Sequence, residues 1–225
     1  MTSASVDASA AAAAADIATH LGEALVLHGR ATLALSGGTS PLGLYAELAA
    51  PGLDWPRVEI FQVDERWVPT TSPDRNLVSI ARVLGPTGAF IRGFSVHEAA
   101  DSAQREALRR SDEAMVGRAI LAGVAFDVVH LGLRSDGHTA SWPPGQAGEG
   151  LRETHEAVEL VNSFNGPDRT TLTPRVVNQA QDVLWFVHGV SKEPMLERLV
   201  ARDETIPAGW VRPDTATVFT DLALT

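Results

Sequence analysis

The sequence contains no cysteine. That excludes a disulfide framework and thiolate chemistry, and it fits a reducing, cytoplasmic setting. It also lacks a basic surplus, with a formal net charge of −10. Nothing is then left over to neutralise nucleic-acid phosphates or an acidic membrane, so neither is an expected partner. No apolar run approaches the length needed to cross a bilayer. The Ala/Ser-rich start, residues 1–15, lacks the basic beginning and Leu/Val-rich centre of a secretory signal and reads as a loose tail ahead of a domain over 16–225. Lysine is nearly missing as well. Of the 18 basic residues only Lys192 is not an arginine, which singles that position out.

What is present is a chain of 225 residues, 44% hydrophobic, enough to bury the core of one α/β domain. Short β-branched runs alternate with helical patterns, the layout of a parallel or mostly parallel sheet covered by helices. The expected strands are Ala31–Leu35, Val58–Val63, Phe126–Leu133, Ala157–Val161, Val183–His188 and Thr217–Phe219. The expected helices are Asp16–Leu27, Pro41–Ala49, Arg75–Leu84, Ala99–Leu121, Pro174–Ala180 and Glu193–Ala201. The Gly/Pro-rich stretch Pro143–Gly150 reads as an active-site loop.

Ligands of open α/β sheets gather beyond the carboxyl ends of the strands, so the residues just after each strand matter most. The first such loop is Ser36-Gly37-Gly38-Thr39-Ser40-Pro41. Adjacent glycines admit close approach of a ligand, and Thr39 or Ser40 is placed to cap a helix that suits a phosphate. The second, Asp64-Glu65-Arg66, sets a carboxylate and a guanidinium two residues apart. That spacing serves either sugar hydroxyls and a developing oxyanion or a structural ion pair. Asp74-Arg75-Asn76 opens the next helix beside it. The third loop, Gly132 to Ser141, carries Asp136-Gly137-His138 after the most apolar strand. Histidine titrates near neutrality and can take a proton from water attacking an ester carbonyl. Of the seven histidines, His20, His28, His97 and His155 fall in helices or surface-like segments, and His130 and His188 pack within or at the ends of strands. His138 alone has the loop setting of a base. The last loop places Lys192 where Ser191 and Pro194 open a helix, a position that repels a cation unless an anion binds there too. Arg169 is a second candidate cation. Neither a His-Glu-x-x-His zinc pattern nor a Gly-x-Ser-x-Gly elbow is present, so catalysis without metal or cofactor is the expectation.

In this order, these pieces resemble the 6-phosphogluconolactonases of the glucosamine-6-phosphate isomerase/deaminase superfamily. The matching residues are Ser36 to Pro41, Val63 to Pro69, Asn76, Leu131 to Ser141, Arg169 with Thr171-Leu172-Thr173, and Lys192. The resemblance implies a Rossmann-like single domain and hydrolysis of 6-phospho-glucono-1,5-lactone, with His138 activating water. It further implies that Ser36, Gly37, Gly38, Thr39, Arg169 and Lys192 hold the phosphate, and that Asp64 and Arg66 orient the substrate. Asn76, Asp136 and Gly137 complete the expected binding residues. The partner is a small phosphosugar lactone, and the protein is expected as a monomer or small homo-oligomer. Three departures stand out: Leu133-Arg134-Ser135 ahead of the Asp136-Gly137-His138 run, Trp142-Pro143-Pro144 after it, and Arg75 before Asn76. Two other readings compete. An amino-sugar-phosphate isomerase/deaminase would need an Asn-Glu-Pro segment after its histidine, where this chain has Trp142-Pro143. A non-catalytic sugar-phosphate sensor usually carries a DNA-binding module, for which this chain is too short and too acidic.

Overall fold

The computed structural model describes residues 5–50, 52–97, 100–121 and 125–223. In chain order its strands are β1 (Ala31–Leu35), β2 (Val58–Gln62), β3 (Asp64–Arg66), β4 (Phe90–Arg92), β5 (Val128–Leu131), β6 (Val158–Val161), β7 (Arg169–Leu172), β8 (Asp182–Val187) and β9 (Ala216–Thr220). The helices are α1 (Val6–His28), α2 (Leu42–Leu48), α3 (Asn76–Leu84), α4 (Ser102–Leu121), α5 (Gln146–Glu153), α6 (Pro174–Val177) and α7 (Glu193–Val200). Six strands form a parallel sheet in the order β4-β2-β1-β5-β8-β9, and β3-β7-β6 form a small antiparallel sheet. The expected α/β architecture, a mostly parallel sheet flanked by helices, is the one observed.

The strands read as apolar runs because both faces of the main sheet are covered. Successive side chains point to opposite faces. Leu33, Leu35, Val128, Leu184 and Phe186 pack with α1, α2 and α3 on one face. Ala34, Val129, Leu131, Val183 and Trp185 pack on the other against α4, α6, α7 and the small sheet. Val63 joins the two sheets: its N–H donates to Leu35 O (2.9 Å) and its carbonyl accepts from Leu172 N (2.8 Å). The expected strand Val58–Val63 therefore runs on through this joint into β3.

Several expectations are corrected. Helix α1 starts at Val6, not Asp16, so residues 6–15 are no loose tail. Ser5 Oγ caps it by accepting from Ala8 N, and Ala10, Ala13, Ala14, Ile17, Leu21, Ala24 and Leu25 bury a stripe at helical spacing in the core. Residues 1–4 and Ala99 lie outside the described residues. Helix α1 is also long and apolar enough, by length and composition, to cross a membrane, contrary to the sequence reading; here that stripe is packed on the sheet. The stretch Pro143–Gly150 is no active-site loop. From Gln146 it is α5, whose Leu151 enters the core.

Strands β1 and β5 are also tied below their register by a reciprocal pair. Asp127 Oδ2 accepts from Thr32 N (2.7 Å) and Thr32 Oγ1 (2.8 Å), while Thr32 Oγ1 accepts from Asp127 N (3.0 Å). Both residues are buried. Thr32→Val keeps the shape but removes one donor from a buried carboxylate and the acceptor of Asp127 N, so a loss of about 1–3 kcal/mol is expected. Urea titration should show a lower midpoint at unchanged slope.

Candidate active site

A cleft of about 830 Å³ opens beyond the carboxyl ends of β1, β5 and β8. Ser36, Gly37, Gly38, Thr39, Asp64, Arg66, Asn76, Asp136, His138, Arg169 and Lys192 all line it. Gly137, the remaining expected site residue, does not. It is buried beneath the turn at φ 84°, where a Cβ would meet Ile206 at 2.8 Å, so glycine is needed there to let the turn close.

The loop after β1 is built around a close approach. A Cβ on Gly37 would lie 1.9 Å from Asn76 Oδ1, and Gly38 sits at φ 98°. Neither Thr39 nor Ser40 caps α2; the cap position is Pro41, with no side-chain bond. Likewise Lys192, not Ser191, holds the cap position of α7 and makes no capping bond. In both places a tight turn precedes the helix and carries the hydroxyl residue away from the cap (Leu42 N to Thr39 O, 3.3 Å; Lys192 N to Gly189 O, 2.9 Å). Ser36 Oγ instead donates to His130 O (3.0 Å), and Tyr45 Oη donates to Ser36 O (2.5 Å). Because Tyr45 spends its proton there, the 3.0 Å contact with His130 Nδ1 requires that nitrogen to carry the hydrogen. Burial pushes the His130 imidazole down to about 3, so it stays neutral.

His138 is held from three sides. Its Nδ1 lies 2.6 Å from Asp136 Oδ1, its ring meets Phe164 edge-on at 4.8 Å, and its carbonyl accepts from Arg134 N (3.0 Å). With Asp136 accepting from Nδ1–H, Nε2 is the basic nitrogen, and it has no hydrogen-bond partner among the described residues. Burial lowers the imidazole below its ordinary 6.5; Asp136 and Asp64 pull against that, and Arg134 adds to it. The ring is therefore unprotonated at neutral pH.

Asp64 and Arg66 do not pair with each other. One Asp64 oxygen accepts from Asn76 Nδ2 (3.0 Å), and the other from Ser141 Oγ (2.6 Å) and Arg169 Nη1 (3.5 Å). Arg66 Nη1 donates to Asp74 O (2.7 Å). Antiparallel pairing of β3 with β7 sets Arg66 opposite Arg169, so two guanidiniums line one wall. Burial is the main cause that lowers the Arg169 proton affinity, with Asp64 offsetting it and Arg66 and Arg134 adding to it. Arg75 turns away from the cleft and pairs with buried Glu65 (2.9 Å), which accounts structurally for the departure at that position.

The sequence reading missed the segment 163–168. Ser163, Asn165 and Gly166 have φ of 50°, 52° and 111°. Asp168 holds them in place: it accepts from Ser163 N (2.7 Å) and pairs with Arg105, whose guanidinium lies over Trp67. This loop brings Phe164 onto the His138 ring and Asn165 and Pro167 into the cleft. The Asn-Gly-Pro cluster ahead of Arg169 was its signal. Among the described residues no group of three or more His, Cys, Asp or Glu is placed to hold a metal.

Comparison with known proteins shows the family. Residues 4–220 match the family described as glucosamine-6-phosphate isomerases/6-phosphogluconolactonase. The chain is 31% identical over 205 residues to a 6-phosphogluconolactonase of Synechocystis sp., covering 88% of this chain and 84% of that one. With a 6-phosphogluconolactonase of Pseudomonas putida it shares 32% identity, covering 87% and 80% of the two chains. The crystal structure of a 6-phosphogluconolactonase from Shewanella baltica superposes with a TM-score of 0.83 at 26% identity, covering 96% of this chain and 94% of that one. By sequence and by fold, the chain belongs to the glucosamine-6-phosphate isomerase/6-phosphogluconolactonase family.

Proposed function

We propose that this protein is a cytoplasmic 6-phosphogluconolactonase of the oxidative pentose phosphate pathway, hydrolysing 6-phospho-glucono-1,5-lactone to 6-phosphogluconate with His138 as the base. The observation that carries the reading is the His138–Asp136 contact of 2.6 Å inside a cleft lined by Arg66, Arg134, Arg169 and Lys192. Nε2 of His138 takes a proton from water as its oxygen attacks the C1 carbonyl. The tetrahedral oxyanion collapses, the C1–ring oxygen bond breaks, and the imidazolium returns its proton to the leaving ring oxygen. Asp136 fixes the tautomer and steadies the transient imidazolium. Asp64, with both oxygens engaged, acts by orienting Arg169 and the loop that carries Ser141. The Ser36–Thr39 loop, Arg169 and Lys192 receive the phosphate, while Arg66 and Asn76 face the sugar.

His138→Ala should cost roughly a hundredfold or more in turnover on freshly generated lactone, after subtraction of spontaneous opening. A rate equal to the wild type's removes His138 from the mechanism, and ammonia release from glucosamine 6-phosphate would move the chain to the other branch of the family. Because the base must be unprotonated and its affinity for protons is lowered, the acid limb of kcat/KM should have its midpoint below pH 6.5, the ordinary imidazole value. Asp136→Asn deletes a contribution that raises His138, so the acid limb should move to still lower pH while the plateau drops. Gly37→Ala forces Asn76 aside and should lower kcat/KM by about tenfold or more, with no loss of secondary structure by circular dichroism.

A further inference from the structure

Four cations line the cleft, and two of them are already engaged: Arg66 donates to Asp74 O and Arg169 pairs with Asp64. Arg134 and Lys192 are different. Among the described residues neither side chain has a hydrogen-bond or ion-pair partner. Arg134 is not free to drift away from the site, because its backbone is fixed in the turn that presents the base. Its N–H donates to His138 O (3.0 Å) and its carbonyl accepts from Gly137 N (3.0 Å). It also falls in the run Leu133-Arg134-Ser135, one of the departures from the family pattern, so the family's expected phosphate residues do not include it.

We propose that Arg134 is a second phosphate-binding cation, closing with Lys192 on the phosphate monoester of the substrate at the solvent side of the cleft. The assignment rests on the phosphosugar-lactone reading above. Two unpartnered like charges facing one cleft repel each other, and a dianion between them turns that repulsion into attraction. A phosphate monoester carries nearly two negative charges at neutral pH and offers three acceptor oxygens, matching a guanidinium fork and an ammonium together. A sugar-acid carboxylate has one charge and two oxygens. The electrostatics run the same way: after burial, Arg134 is the next cause holding the Lys192 ammonium below its ordinary proton affinity, with nearby Asp136 opposing.

Calorimetric titration with 6-phosphogluconate, inorganic phosphate and gluconate separates these cases. In Arg134→Gln both phosphate-bearing probes should bind about fivefold or more weakly, and the defect should shrink at high salt. Gluconate binding should stay within about twofold, and Arg134→Lys should recover part of the loss. Since Arg134 is exposed, melting temperatures should be unchanged, which separates a binding defect from a folding one. Phosphate affinities within twofold of the wild type, an equal loss for gluconate, or no phosphate binding by the wild type would each overturn the assignment. If the wild type binds phosphate through Arg134 yet does not open the lactone, the catalytic reading fails and this one stands.

Discussion

Much of the candidate site depends on one buried carboxylate that does not itself line the cleft. Glu65 is fully buried and accepts from Gln62 Nε2 (2.8 Å), Arg66 N (2.8 Å), Asn76 N (2.8 Å) and Leu77 N (3.0 Å), with Arg75 Nε at 2.9 Å. A charge taken out of water is tolerated only when its oxygens are fully engaged. Two of these donors are the first N–H groups of α3, so Glu65 caps that helix from a neighbouring strand and sits at the favourable end of its dipole. Asn76 is thereby fixed; its amide fastens Asp64, and Asp64 reaches Ser141 beyond His138 and Arg169 on β7. One carboxylate thus aligns the joint between two sheets, a helix start and the wall of the cleft.

The cleft also explains how an acidic protein receives an acidic substrate. Its net charge of −10 would repel a phosphosugar if spread evenly. Arg66, Arg134, Arg169 and Lys192 instead converge on one opening, while two of the carboxylates beside it are already committed, Asp64 to three donors and Asp136 to the imidazole. Short strands and tight turns hold the backbones of these cations: Arg66 and Arg169 are paired across β3 and β7, and Arg134 and Lys192 sit in hydrogen-bonded turns.

How much of this was legible in the sequence follows from what kind of signal each element left. Strand β1 was readable to the residue because burial on both faces leaves an unbroken apolar run ending in Ser36-Gly37. The His138 loop was readable because chemistry and turn residues coincide there. Strands β3 and β7 were not: Asp64-Glu65-Arg66 and Arg169-Thr170-Thr171 pair through the small sheet, and their polar side chains bury by mutual bonding, such as Trp67 Nε1 to Thr170 Oγ1 (2.9 Å), which no apolar pattern records. Residues 6–15 looked like a tail because alanine carries little hydrophobic contrast, yet small side chains are what allow α1 to lie close on the sheet. The Glu65 hub was invisible because its partners are mostly backbone N–H groups, which every residue has.

The position of His138 shows why a site of this kind needs both a rigid sheet and a strained loop. Strand β5 delivers the chain to the cleft, but a strand end alone leaves an imidazole free to rotate. Asp136 fixes one ring nitrogen from within the same turn, and Gly137, at a φ open to glycine, lets that turn press against Ile206. Phe164 packs against the ring in a T-shaped contact from a separate loop whose positive-φ residues are sustained by Asp168 and Arg105. Strained backbone persists only where its surroundings over-determine it. Here the surroundings are an ion pair and a cation–π contact lying behind the loop, so the placing of Phe164 against the imidazole is set by residues outside the cleft.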